Sequence, residues 1–258
     1  MASKVKFIDE KLRIDIKGKA DETRYKWAKK GLIDIFSILD NTAILIRRTI
    51  NTKKFSGFST YFEGDFIVFL NSSFTLGHER FSGAHELYHI TYNTDLLKRD
   101  KILFSDSQDI ENEANIFAAE FLMPEDGIKE VFYKQVDVKP NQVEAKHIVR
   151  MHNYFKVGYK AMLKQLVQLR LCDEKLYEPL LCYQSLEKSS ELEKITLMEG
   201  YSTELIKPSN IKSISTEYIE IVRRNFEENK ISYGKLEEML EFIGKTPEDY
   251  GYVRNEEY

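Results

Sequence analysis

The first strong periodicity falls at 22–39, where Tyr25, Ala28, Leu32, Ile35 and Leu39 recur at steps of three and four residues and predict a helix. Before it, 1–21 is polar, and its short alternation Leu12-Arg13-Ile14-Asp15-Ile16 reads as an edge strand or as part of a flexible lead. The segments 42–46 and 59–70 are rich in β-branched and aromatic residues, and Gly64-Asp65 interrupts the second, so strands and a hairpin are expected. The run that contains 85–89 reads as helix, and helical spacing returns at 109–124, where Ile110, Ala114, Phe117, Ala118 and Phe121 share one face and Pro124 ends the run. Beyond it, 141–155 and 158–171 meet at Lys156-Val157 in a helix-turn-helix outline. The polar stretch 185–194 reads as a linker, and two further helices are expected at 218–229 and 233–243, the second capped by Ser232. The pattern is an α+β arrangement followed by a mostly helical C-terminal region, without internal repeats.

Chemistry concentrates at His85-Glu86-Leu87-Tyr88-His89. On a helix, residues four apart stand on the same face, so His85 and His89 can offer two imidazole nitrogens to one metal ion, with Glu86 beside them. Two histidines alone are also compatible with a capped or packed helix, so a third ligand decides the matter. The 109–124 helix supplies candidates in Glu111, Glu113 and Glu120. Glu111 lies on the apolar side, where a carboxylate needs a cation or a donor to offset its desolvation. Glu113 is about 200° further round the helix, so the two cannot address the same ion. Glu111 is preferred because Asn115, four residues on, is placed to hold a ligand imidazole by its second nitrogen. Ala118-Ala119 would let the two helices approach closely. Two imidazoles and a carboxylate suit Zn2+, although manganese and iron accept the same set. Three protein ligands leave one position open, the mark of a catalytic rather than a structural site, and Glu86 is then the general base. The residue that would assist at the oxyanion stays open among Tyr88, His147, His152, Tyr154 and Tyr159, each of which reads equally as a packing or surface residue.

The stretch from Arg80 to His89, the run from Glu111 to Pro124 and the strand pattern Ile67-Val68-Phe69-Leu70-Asn71 together resemble the ImmA/IrrE family of bacterial zinc metallopeptidases. The resemblance covers about 23–171. It departs at Ser82-Gly83, where the family usually has Thr-Leu, and at Tyr88, where it usually has Gly. The resemblance implies a zincin-like metallopeptidase core with a small sheet packed on the motif helix. The expected units are a lead at 1–21, the core at 22–135, a helix-turn-helix-like segment at 136–184 and a helical extension at 185–258. It also implies a zinc-dependent endopeptidase whose protein substrate is a helix-turn-helix repressor, cut to release genes of a mobile element or a stress response. Some members belong to toxin-antitoxin-like pairs, so a module that sequesters a partner is the rival expectation, motivated by the extension beyond the resemblance.

Composition narrows the setting. The chain has 258 residues, 42% of them apolar, enough for one sizeable core or a core with an accessory unit. Runs such as 66–70 are too short to cross a membrane and the polar start carries no signal segment, so a cytoplasmic location is expected. A net charge of −4 argues against direct nucleic-acid binding, which needs a concentrated cationic surface, and favours a packing or docking role for the helix-turn-helix outline. The two cysteines, Cys172 and Cys182, are expected to be reduced. Oligomeric state is left open.

Overall fold

The computed structural model describes residues 5, 7–31, 34–52, 54–100, 108–185 and 187–254. Asp9 caps the first helix, α1 (Glu10–Lys29), by accepting the Leu12 amide at 3.0 Å. The alternation at 12–16 is therefore helical, neither an edge strand nor a flexible lead. Its apolar residues belong to a longer stripe in which Ile16, Ala20, Thr23 and Trp27 are buried while Ile14 is exposed, a spacing that a five-residue window cannot distinguish from period two. The helix expected at 22–39 divides, because Gly31 at φ 74° ends α1 and Asp34 caps a new short helix, α2 (Ile35–Asp40), by accepting the Phe36 and Ser37 amides. Leu32, one of the residues on which the long helix was expected, lies outside the described residues.

Strands β1 (Ile44–Arg48), β2 (Gly57–Phe62) and β3 (Asp65–Asn71) follow, and the β2–β3 hairpin turns at Glu63-Gly64, both with positive φ, as a tight right-twisted connection requires. The sheet order is β2-β3-β1-β4, with β1 parallel to β3 and β2 antiparallel to it, so β2 is an outer strand. Helix α3 (Leu76–Tyr92) starts at the cap Thr75 and lies across this sheet, followed by α4 (Thr94–Asp100) and α5 (Gln108–Leu122). One apolar cluster joins Ile16 and Trp27 of α1, Leu39 of α2, Val68 and Leu70 of β3, Ala84 and Leu87 of α3, and Phe117 of α5.

A second cluster takes in Val5 and buried residues from Met123 to Leu192 and unites α6 (Glu125–Gln135), α7 (Ala145–Phe155), α8 (Tyr159–Gln168), α9 (Tyr177–Leu181) and α10 (Ser189–Met198). The packing thus crosses the divisions expected at 135 and 184. The expected linker at 185–194 enters α10, which buries Leu192 and Thr196. A stripe that narrow suffices for a helix with one face on the protein, but is too sparse to register as periodicity in a polar segment. The α7–α8 corner, with Lys156 in the left-handed region, rests on the first turn of α3. There a Cβ on Gly77 would lie 2.6 Å from the Gly158 nitrogen, so only glycine permits the approach.

The C-terminal region does not stand apart from the core. The Leu76 amide donates to the Lys207 carbonyl at 2.9 Å, Ser72 Oγ donates to the Ile211 carbonyl at 2.7 Å, and β4 (Ser213–Ile214) pairs antiparallel with β1. The last helices, α11 (Thr216–Glu227) and α12 (Tyr233–Glu241), form a third cluster that closes over Ile44 and Ile46 of β1, and Ser232 caps α12 as expected. Among the described residues no helix is long and apolar enough to cross a membrane. Because the Gly77 contact is backbone against backbone, Gly77→Ala is expected to destabilise the protein by about 1–3 kcal/mol through overpacking. A thermal melt reads this, and an unchanged midpoint would contradict the close packing of α8 on α3.

Candidate metal centre

Helix α3 divides its side chains among three neighbours. Ala84 and Leu87 enter the apolar core, Glu86 turns towards β2, and His85 and His89, one turn apart, face α5. Helix α5 is held against α3 by the same cluster, in which the Tyr88 and Phe117 rings meet at 5.3 Å. That packing delivers Glu111 to the two imidazoles. His85 Nε2 and His89 Nε2 are 3.0 Å apart, and Glu111 places Oε2 3.2 Å from the first and Oε1 3.6 Å from the second. Donor atoms of all three side chains lie within 4.8 Å of one another.

The opposite ring nitrogens explain the orientation. His85 Nδ1 faces Asn115 Oδ1 at 3.2 Å, and His89 Nδ1 faces Asn93 Oδ1 at 3.2 Å. The Asn115 amide is turned this way by its own NH2 group, which donates to the Glu111 carbonyl at 2.8 Å. An amide oxygen only accepts, so each Nδ1 carries the proton and each Nε2 presents a lone pair. Two lone pairs aimed at one space, with a carboxylate closing on it, repel unless a cation or proton stands between them. Two neutral imidazoles and one carboxylate therefore fit a divalent ion of the zinc type. The titration behaviour expresses the same demand for positive charge. Burial works against a charged His85, yet Glu111 and Glu86 outweigh it and hold its pKa above the ordinary value. His89 is pushed down to about 4 by burial and by the charge on His85. Glu111 is held below its ordinary value by the His85 hydrogen bond, and burial raises Glu86.

Glu86 is buried at the base of a cleft of about 690 Å³, whose wall includes Gly57, Phe58 and Ser59 of β2. Its Oε2 accepts the Ser59 hydroxyl at 2.6 Å. The structure thus brings His85, His89, Glu111, Glu86 and Asn115 together. It separates the other candidate ligands from them, since Glu113 accepts the Tyr88 hydroxyl, while Glu120 is buried against Arg13 Nε at 2.9 Å and Gln165 Nε2 at 3.3 Å. The five oxyanion candidates also lie elsewhere. Tyr88 is packed between Tyr92 and Phe117, and His147 Nδ1 accepts the Glu144 amide at the start of α7. His152 faces the Val157 carbonyl at 3.0 Å, Tyr159 donates to the Leu180 carbonyl at 3.2 Å, and Tyr154 is exposed. The cleft instead contains His78, two turns before His85 and stacked on Phe74.

Three residues of this neighbourhood escaped the sequence reading. Asn93 stands four residues after His89, and His78 seven before His85, so helical spacing was a sufficient signal for both. Ser59 had none, because nothing local to β2 tells which strand meets Glu86.

Residues 43–167, which span β1 to α8 and every residue of this centre, match the family model Peptidase_M78, described as an IrrE N-terminal-like domain. No curated protein matches the chain significantly. Since Asn93 and Asn115 each hold an imidazole by its Nδ1 proton, Asn93→Ala and Asn115→Ala are each expected to weaken zinc affinity by about 10- to 100-fold. Glu113→Gln, at the residue that accepts the Tyr88 hydroxyl, is expected to leave it unchanged. Competitive zinc titration measures all three, and equal affinities throughout would contradict this centre.

Proposed function

From a chain that belongs through residues 43–167 to the Peptidase_M78 family, we propose a zinc-dependent endopeptidase that acts in the cytoplasm. Its substrate in this reading is a helix-turn-helix repressor, whose cleavage derepresses genes of a mobile element or a stress response. The observation that supports it is the meeting of His85, His89 and Glu111 beside the buried carboxylate of Glu86 in an open cleft. His85, His89 and Glu111 would hold the ion, leaving a fourth position open. Bound zinc would supply Lewis acidity to a peptide carbonyl and to a water molecule.

The remaining work falls to the protein's own side chains. Glu86 points into the cleft from the residue next to His85. It does not belong to the His85, His89 and Glu111 group, so it remains available to take a proton from water and return it to the leaving amine. Strand β2 is an outer strand of the sheet and lines the same cleft. An extended peptide adding to β2 by main-chain hydrogen bonds would be carried across the centre, with its side chains alternately towards and away from it. The helix-turn-helix outline of α7 and α8 takes no part in DNA binding in this reading, because its corner is occupied by packing on α3.

A second reading is a module that sequesters its partner without cutting it. It is favoured by α11, α12 and the strand that ties them to β1, all of which lie outside the matched residues. The two readings separate on Glu86→Gln. The endopeptidase reading expects the wild-type protein with zinc to give one discrete cut in the repressor encoded beside it. The variant should bind zinc normally and lose about 10²- to 10⁴-fold in rate, as expected for a lost general base. Absence of product from the wild type, or equal cutting by the variant, would sink it. Full derepression in cells by the variant would establish the sequestering module instead.

A further inference from the structure

We propose that Ser59 is a positioning residue for Glu86, so that β2 fixes the general base in the same frame that receives the peptide. The inference rests on Glu86 acting as the base. Along β2 side chains alternate, and the register Gly57 with Leu70, Phe58 with Phe69 and Ser59 with Val68 puts Gly57 and Ser59 on the face that meets α3. Phe58 takes the other face and stacks on Phe69 with centroids 5.3 Å apart and planes at 19°, which resists a slip of the strand.

On the α3 side, β2 locates both oxygens of one carboxylate. Oε2 receives the Ser59 hydroxyl at 2.6 Å. Oε1 lies against Gly57, where a Cβ would come within 3.3 Å of it and 2.9 Å of the Phe69 carbonyl, so the strand approaches this closely because residue 57 has no side chain. Ser59 and Glu86 are 4% and 5% exposed, which leaves little room for solvent to replace a missing donor. A hydroxyl also suits the task chemically. Its proton stays on Ser59 and engages one oxygen, while the remaining lone pairs of the carboxylate can accept a proton from water. A lysine or arginine at the same place would pair with the charge that the base must use.

Displacement of a reacting group by about 1 Å can cost about 10²-fold in rate. Ser59→Ala is therefore expected to lower kcat by about that factor, with KM and zinc stoichiometry close to wild type, and Ser59→Thr to restore most of it. Cleavage of a peptide library read by mass spectrometry supplies the rates. A kcat within about threefold of wild type for Ser59→Ala would overturn the proposal, as would a loss expressed in KM or in zinc content, which indicates a merely structural role. A crystal structure of Ser59→Ala reads the positioning without reference to activity. Departure of the Glu86 carboxylate from its place between residues 57 and 59 upholds the proposal even if the wild type cuts nothing and the endopeptidase reading falls; an unmoved carboxylate overturns it.

Discussion

Two imidazole nitrogens held 3.0 Å apart, with a carboxylate from another helix closing on both, form the contact on which the rest of the molecule depends. One helix can provide the histidines by spacing alone. The carboxylate requires α5 to run close to α3, and that is a matter of small side chains. Ala84 on α3 and Ala114 and Ala118 on α5 are all fully buried in the shared cluster, and Phe117 fills the space left between Tyr88 and Tyr92. Helix α1 fastens α5 from its outer side, where Arg24 donates to the carbonyls of Glu120 and Phe121 and Arg13 meets Glu120. A buried ion pair of this sort is weak as a source of net stability, but loss of either partner leaves a charge stranded. The pair joins α1 to the last turns of α5, the helix that carries Glu111.

The Peptidase_M78 match and the centre coincide on the same residues, and the proposed chemistry asks for little more than what those residues already do to one another. Nδ1 protons committed to Asn93 and Asn115 leave Nε2 lone pairs for a cation, and burial makes that demand stronger by penalising any uncompensated charge. Strand β2 then stands at the junction of two requirements. It is an edge strand of the sheet, and it is the strand against which Glu86 lies.

What the sequence revealed follows from the range of the interaction. The histidine pair, Glu111 and Asn115 were legible because each relation is a helical repeat of three or four residues, or a short list of carboxylates sorted by face. The contrast of Glu111 with Glu113 came from the helical angle and from Asn115 one turn on, and in the structure Glu113 meets Tyr88. Tyr88 itself, unusual for the resemblance, points into the core and away from the cleft. Where partners are distant along the chain, the sequence carried no signal. Ser59 is 27 residues from Glu86, and β4 is two residues long with no pattern of its own, yet it brings the C-terminal region into the sheet. The helix at 10–29 and α10 were obscured for a simpler reason. Each has one buried stripe in a polar sequence, which a short window reads as alternation or as linker.

Whether a single metal ion sits where α3 and α5 meet is tested by X-ray diffraction from crystals grown with zinc, collected on both sides of the zinc absorption edge. One strong anomalous peak per chain, bounded by His85 Nε2, His89 Nε2 and the Glu111 carboxylate, is the predicted result. A zinc peak held by other residues, or none within reach of these three at saturating zinc, would contradict it.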